Sequence, residues 1–140
     1  MNKGQIIEMY PVLQKCKLEG LKKETVFAIL HNMNIMRPTV KEWEEGMRDA
    51  AERLQTEDVR KVIDNVRRHN EERTKMSEEE EREANAVYAP YAKQLEEYRR
   101  KELSEDMGKD LEGISEEELV TLVAGNSLTA REMEILSGLV

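Results

Sequence analysis

The chain lacks most of what marks a secreted, membrane-bound or catalytic protein. It has one cysteine, Cys16, so no disulfide can form within it, and a free thiol in a cysteine-poor chain fits a reducing cytoplasm. Its longest run of large apolar residues is Val26–Leu30, far short of the ~20 that a membrane span needs. The first residues contain no apolar stretch of the ~7–15 residues expected of a secretory signal, so none is expected. There are two histidines, His31 and His69, 38 positions apart, and no second cysteine, which leaves no ligand set for zinc. Gly-x-Ser-x-Gly, the Walker phosphate loop and Gly-x-Gly-x-x-Gly are all missing. Aromatic residues are 4% of the chain: one Phe, one Trp and four Tyr. Leu, Ile, Val and Phe together make up 31 of 140 residues, just above the ~20% level below which highly charged chains stay disordered. A large core is therefore excluded, and a thin helical one is expected.

What the chain has is charge and helical period. Charged residues are 37% of the sequence and the net charge is −8, which disfavours general binding to nucleic acid or anionic lipid. The charge is uneven. Residues 1–76 carry 15 basic and 13 acidic groups, residues 77–140 carry 7 and 17. Apolar residues recur every three or four positions and strand-like alternation is nearly absent. Ile6, Met9, Tyr10 and Leu13 make one face of a short helix that Pro11 should kink or divide near Tyr10, with Gly20 as a stop signal. Val26, Leu30, Met33, Met36, Val40, Trp43, Met47, Ala50 and Leu54 step by 3.5 on average, the spacing of a coiled-coil seam. Two arrangements fit that seam. One is a kinked helix over about 23–55. The other, favoured here, is a break or sharp kink at Pro38, with Thr39 and Glu42 forming a capping box for a fresh helix.

Thr56 opens a further helix with the face Val59, Val62, Ile63 and Val66. From Arg67 to Glu83 only Met76 is large and apolar, so that segment is solvated, as a helical tip, a linker or a disordered join. Ser77 and Glu80 then offer a capping box before Ala84, Tyr88, Tyr91, Leu95 and Tyr98, a stripe holding three of the four tyrosines, and Pro90 predicts a bend within it. Ser115/Glu118 and Thr129/Glu132 cap two short C-terminal helices, the first ended by Gly125-Asn126. Met107–Ile114 could be extended, with no partner strand in sight.

The expected fold is all-α: a helical hairpin or bundle with a long, partly solvated central helical arm and two short C-terminal helices. As one domain over 1–140 it divides into a hairpin at 1–55, an arm at 56–106 and the short helices at 107–140. Chemistry-bearing residues are few. Cys16 lies between two lysines that could activate it, but it also falls on the apolar side of the first helix, where a packed thiol is inert. His31 flanks the seam. Arg60, Lys61, Arg67, Arg68, Arg73 and Lys75 cluster, yet Glu57–Lys61, Arg60–Asp64, Asp64–Arg68 and Glu71–Lys75 are spaced to neutralise one another. Glu78/Glu81 and Glu102/Glu105 superficially resemble the magnesium-binding carboxylate pairs of all-α nucleotide pyrophosphohydrolases, which makes such an enzyme a second alternative. The stretch Leu128–Leu136 resembles the opening helix of the helix-turn-helix in LuxR-type regulators, but no recognition helix follows it.

The two ends of the chain carry a wider resemblance. Ile6, Ile7, Tyr10, Pro11 and Leu13, the helix Val26–Asn34, then Pro38, Val40, Lys41, Trp43, Glu44, Glu45 and Arg48 form one matching stretch. Ile114, Ser115, Glu118, Leu119, Leu128, Thr129 and Glu132 form the other. Together they cover about 4–54 and 111–139, and they resemble small all-helical bacteriophage and prophage proteins of unknown function. The resemblance implies a phage-derived gene and no catalytic residue. The reading of the chain is accordingly a non-catalytic, cytoplasmic interaction or assembly protein, with a helical regulator that binds another protein as the alternative. No cofactor, metal, nucleic acid, membrane or small-molecule substrate is expected. The expected partner is a second copy or another protein, met through Val26, Leu30, Met33, Met36, Val40, Trp43, Met47 and Leu54 or through Tyr88, Tyr91, Leu95 and Tyr98.

Overall fold

The computed structural model describes residues 1–108 and 110–140. Among them are six α-helices: α1 (Lys3–Lys15), α2 (Lys23–Leu54), α3 (Glu57–Glu72), α4 (Glu78–Leu103), α5 (Glu116–Ala124) and α6 (Ala130–Leu136), followed by a 3-10 turn at Ser137–Leu139. The fold class is all-α. The nearest approach to a sheet among the described residues is an isolated bridge between Asn2 and Asp106. Two compact units form, Met1–Glu44 with Glu102–Val140, and Glu45–Lys101. The cuts fall inside α2 and α4.

The first unit has a core of Ile6, Met9, Val12 and Leu13 from α1, Ala28, Ile29 and Met36 from α2, and Ile114, Leu122, Leu136 and Leu139 from the C-terminal third. Polar side chains complete it. Asn32, fully buried, accepts from the Glu112 N–H at 2.7 Å and donates to the Glu112 carbonyl at 2.8 Å. Asn126 does the same for Lys17, at 2.7 and 3.0 Å. Glu118, also buried, accepts from the Lys22 N–H at 2.9 Å and the Thr25 hydroxyl at 3.0 Å. The contacts of Asn32 and Glu118 satisfy partly buried loop backbone, and those of Asn126 pin the exposed loop after α1. Lys3, buried at the start of α1, reaches the carboxylates of Glu102 at 3.0 Å and Glu105 at 3.2 Å.

The N-caps at Thr56, Ser77, Ser115 and Thr129 agree with the sequence pattern, but the carboxylates of Glu80 and Glu118 are diverted from their capping boxes. Thr56 accepts from the Val59 N–H, and Thr129 with Glu132 makes a full capping box. Ser115 accepts from the Glu118 N–H, but the Glu118 carboxylate turns to Lys22 and Thr25. Asn2 and Gln5 form a capping box on α1 that was not anticipated.

The break favoured at Pro38 and the division of the first helix near Tyr10 are corrected: Pro11, Pro38 and Pro90 all lie inside continuous helices α1, α2 and α4, and α2 takes the other arrangement, one helix through Pro38. Each is exposed, so the carbonyl four residues back that loses its donor lies towards water rather than in a dry core. Helical burial on both sides of each proline then outweighs the local cost of about 3 kcal/mol. Thr39 is consequently not an N-cap. It is a helix-interior residue, 1% exposed, whose hydroxyl has no hydrogen-bond partner among the described residues. The segment 67–83 resolves into the end of α3, a short turn and the start of α4. Met107–Ile114 has neither helix nor strand among its described residues.

Two outcomes follow. Thr39→Val removes a buried, unpaired hydroxyl at nearly constant volume, so it should stabilise the protein by about 1 kcal/mol, read as a higher midpoint in thermal melting; a lower midpoint would contradict the burial. Burial pulls the Lys3 pKa down, but the hydrogen bonds and charges of Glu102 and Glu105 outweigh it and hold the pKa above its ordinary 10.5. A raised pKa in the folded state gives a contribution that is complete below the unfolded pKa and lost as pH rises through the folded one. Urea denaturation of Lys3→Met should therefore show a deficit at neutral pH that shrinks in alkali beyond about pH 10.

Candidate interaction surface

The residues expected to mediate association divide sharply. Along the seam, Met36 is fully buried, and Val26, Met33, Val40, Trp43, Met47 and Leu54 are half-buried. Met33 and Val40 pack on the core of the first unit. Only Leu30, at 44% exposure, faces solvent. The α2 seam is thus largely covered within its own chain.

The tyrosine stripe lies in the second unit. Tyr91 is buried and its hydroxyl donates to the Ala51 carbonyl at 3.4 Å. Tyr98 is half-buried, with the Arg53 guanidinium 6.0 Å from its ring centroid. Gly46 makes room for it: a Cβ there would lie 3.2 Å from the Tyr98 hydroxyl. Leu95 is half-buried. Tyr88 meets Tyr91 edge-on at 5.3 Å and remains 40% exposed.

Exposed Tyr88 borders a feature the stripe alone did not disclose. Val62, Ile63 and Val66 of α3 and Ala84, Asn85 and Tyr88 of α4 line a mostly apolar groove of about 320 Å³. Val62 and Ala84 also line a second, more polar groove of about 240 Å³ with Asp58, Lys61, Asn65, Glu80, Glu83 and Val87. The pair therefore lies between the two grooves, and Ile63, Val66 and Tyr88 flank the more apolar one. The signal was present in the sequence as the Val59–Val66 face. Its partner on α4 could not be read from spacing.

The turn that presents this groove is held by local polar contacts. α3 ends at Arg73 in the left-handed conformation, φ 55°. The two ring nitrogens of His69 lie 2.6 Å from the Thr74 hydroxyl and 3.1 Å from the Glu80 carboxylate. Ser77 caps α4 by accepting from the Glu80 N–H. Glu80 does not reach back as a capping box would, because its side chain serves His69.

The candidate chemical sites do not assemble. Glu78/Glu81 and Glu102/Glu105 lie at opposite ends of α4, in different units, and both members of the second pair are engaged by Lys3. Among the described residues no three His, Cys, Asp or Glu side chains gather to hold a metal. Cys16 is half-buried, and burial pushes its thiol pKa up against the weaker pull of Lys15. Lys15 itself pairs with Glu132. His31 is exposed, 3.9 Å from Glu112. In the basic cluster Lys61 pairs with Glu57, as spaced. Asp64 pairs instead with Arg67, and Arg68 donates to Asn65. The Glu71–Lys75 pairing fails because α3 stops between them. No helix among the described residues is long and apolar enough to cross a membrane. No protein-family model, curated protein or solved structure matches the chain.

The left-handed Arg73 gives a direct test of the turn. A non-glycine residue there carries a steric penalty of about 1 kcal/mol that glycine avoids. Arg73→Gly should raise the urea midpoint, and a fall would show that the turn has a different backbone.

Proposed function

We propose that this chain is a non-catalytic helical interaction or assembly protein of phage or prophage derivation that works in the cytoplasm and pairs with a second copy of itself. The groove between α3 and α4 carries this reading, because its rim leaves Val66 37% and Tyr88 40% exposed. Aromatic and branched apolar side chains beside an open cleft are the kind of anchors that protein partners bury. The second unit has little else to hold it, since its buried apolar side chains are Ala50, Val59 and Tyr91. Covering the groove adds apolar burial where the folded chain has least. Tyr88 is also the member of the expected tyrosine surface that its own chain covers least.

Both signs of charge flank the groove. Asp64 and Arg67 pair on α3, and Glu81 and Arg82 lie side by side on α4. A two-fold copy can place acidic groups of one hairpin over basic groups of the other.

Light scattering across micromolar concentrations tests this. The particle should grow from 16.3 kDa towards twice that mass, with an affinity on the order of micromolar. Val66→Glu and Tyr88→Asp should each return the monomer. A mass fixed at 16.3 kDa at every concentration would overturn the proposal. Flanking capsid, tail or portal genes would support the phage assembly role, and flanking metabolic genes would oppose it.

A further inference from the structure

A second surface lies on the other unit, on the solvent side of α2, and the argument for it does not depend on self-association. Lys23, Phe27, Leu30, Asn34, Arg37 and Lys41 follow one another at intervals of 4, 3, 4, 3 and 4. That is 3.6 residues per step, so the six side chains form one line along a helix face about 27 Å long. All six are exposed. Phe27, the only phenylalanine in the chain, is 70% exposed and Leu30 is 44% exposed. An isolated exposed leucine is ordinary, whereas a phenylalanine directed at water one turn from an exposed leucine is not.

The charges along the line are one-sided. Lys23, Arg37 and Lys41 have no carboxylate within ion-pair distance among the described residues, in a chain whose net charge is −8. Arg37 is held in place: its Nε donates to the Tyr10 hydroxyl at 3.1 Å and its Nη1 to Asn34 at 3.3 Å. The line therefore reads cation, two apolar residues, amide, two cations.

We propose that this strip docks an acidic amphipathic helix of a partner protein. Apolar side chains on successive turns of the partner would cover Phe27 and Leu30, and its carboxylates would meet Lys23 at one end and Arg37 and Lys41 at the other. The observations favour a short helix over an extended polyanion. A membrane surface or nucleic acid would meet the surrounding acidic surface as well as the strip, and the net charge would oppose it. A single helix lies along the strip, where Lys23, Arg37 and Lys41 are the charges in line with Phe27 and Leu30, with Glu24 to one side and Glu45 a turn beyond.

The test uses the full chain and a fluorescent synthetic peptide of about 18 residues, long enough to match the strip. The peptide carries leucines along one helical face and glutamates on the flanks. A control peptide has lysine in place of every glutamate. The acidic peptide should bind saturably, and binding should weaken as salt is raised. Phe27→Ala and Lys41→Glu should each weaken it by about tenfold or more, with the far-ultraviolet circular dichroism unchanged, as expected for exposed sites. Failure to saturate, equal binding of the lysine peptide, or indifference to both substitutions would overturn the proposal. So would tighter binding to phosphatidylserine vesicles or a duplex oligonucleotide, or loss of self-association in Phe27→Ala without peptide, which would identify a second copy as the occupant. Val66→Glu should leave peptide binding intact, so a failed dimer and a failed strip are told apart.

Discussion

Burying loop backbone without many large apolar side chains is the constraint that shapes this molecule. Four aromatic residues in every hundred cannot fill a wide core, so the first unit is closed by amides and a carboxylate. Asn32 takes both backbone groups of Glu112, Asn126 takes both of Lys17, and Glu118 gathers Lys22 and Thr25. Each neutral bond contributes only about 0.5–1.5 kcal/mol net, but an unmade one inside the fold costs more. The asymmetry makes these contacts selective: they reward one placement of α5 and of the loops beside it, and penalise others. α5 and α6 span nine and seven residues, too short to persist alone, and are helical because α1 and α2 hold them.

Economy inside leaves apolar surface outside. The second unit buries little and leaves a cleft beside Val66 and Tyr88. On α2, one helical face is consumed by the core while the opposite side presents Phe27 and Leu30 among unpaired cations. Both surfaces lie on long helices, whose backbone is satisfied internally, so each can be exposed without leaving polar groups stranded. The two differ in character. The groove is flanked by both signs of charge and suits a copy of itself, whereas the strip is flanked by one sign and suits a partner of the other.

Much of the architecture was legible because period and capping are local. The faces of α1, α2, α3 and α4 and the caps at Thr56, Ser115 and Thr129 depend on neighbours within four residues. The rest depended on distant partners. Glu118 looks like half of a capping box until Lys22, 96 positions away, is placed beside it. Nothing in the neighbourhood of Asn32 announces Glu112. Pro38 misled for a related reason: its penalty is local and visible, while the burial of Ala28, Ile29 and Met36 that carries α2 through it is not. Thr39 had the right chemistry for a cap and the wrong surroundings. The seam was correctly periodic, but periodicity cannot say whether its cover comes from the same chain. The groove needed α4 to be set against α3, and the Phe27 strip emerged only once the buried side of α2 was known.

Native-state hydrogen exchange tests the polar closure most directly. The amides of Lys22 and Glu112 lie outside regular helix, and their acceptors are the side chains of Glu118 and Asn32. If these side chains close the core, the two amides are protected to nearly the same degree as those of Ile29 and Met36 in α2, and exchange with them on global unfolding. Exchange of both at the rate of an unstructured peptide, with α2 still protected, would contradict the account.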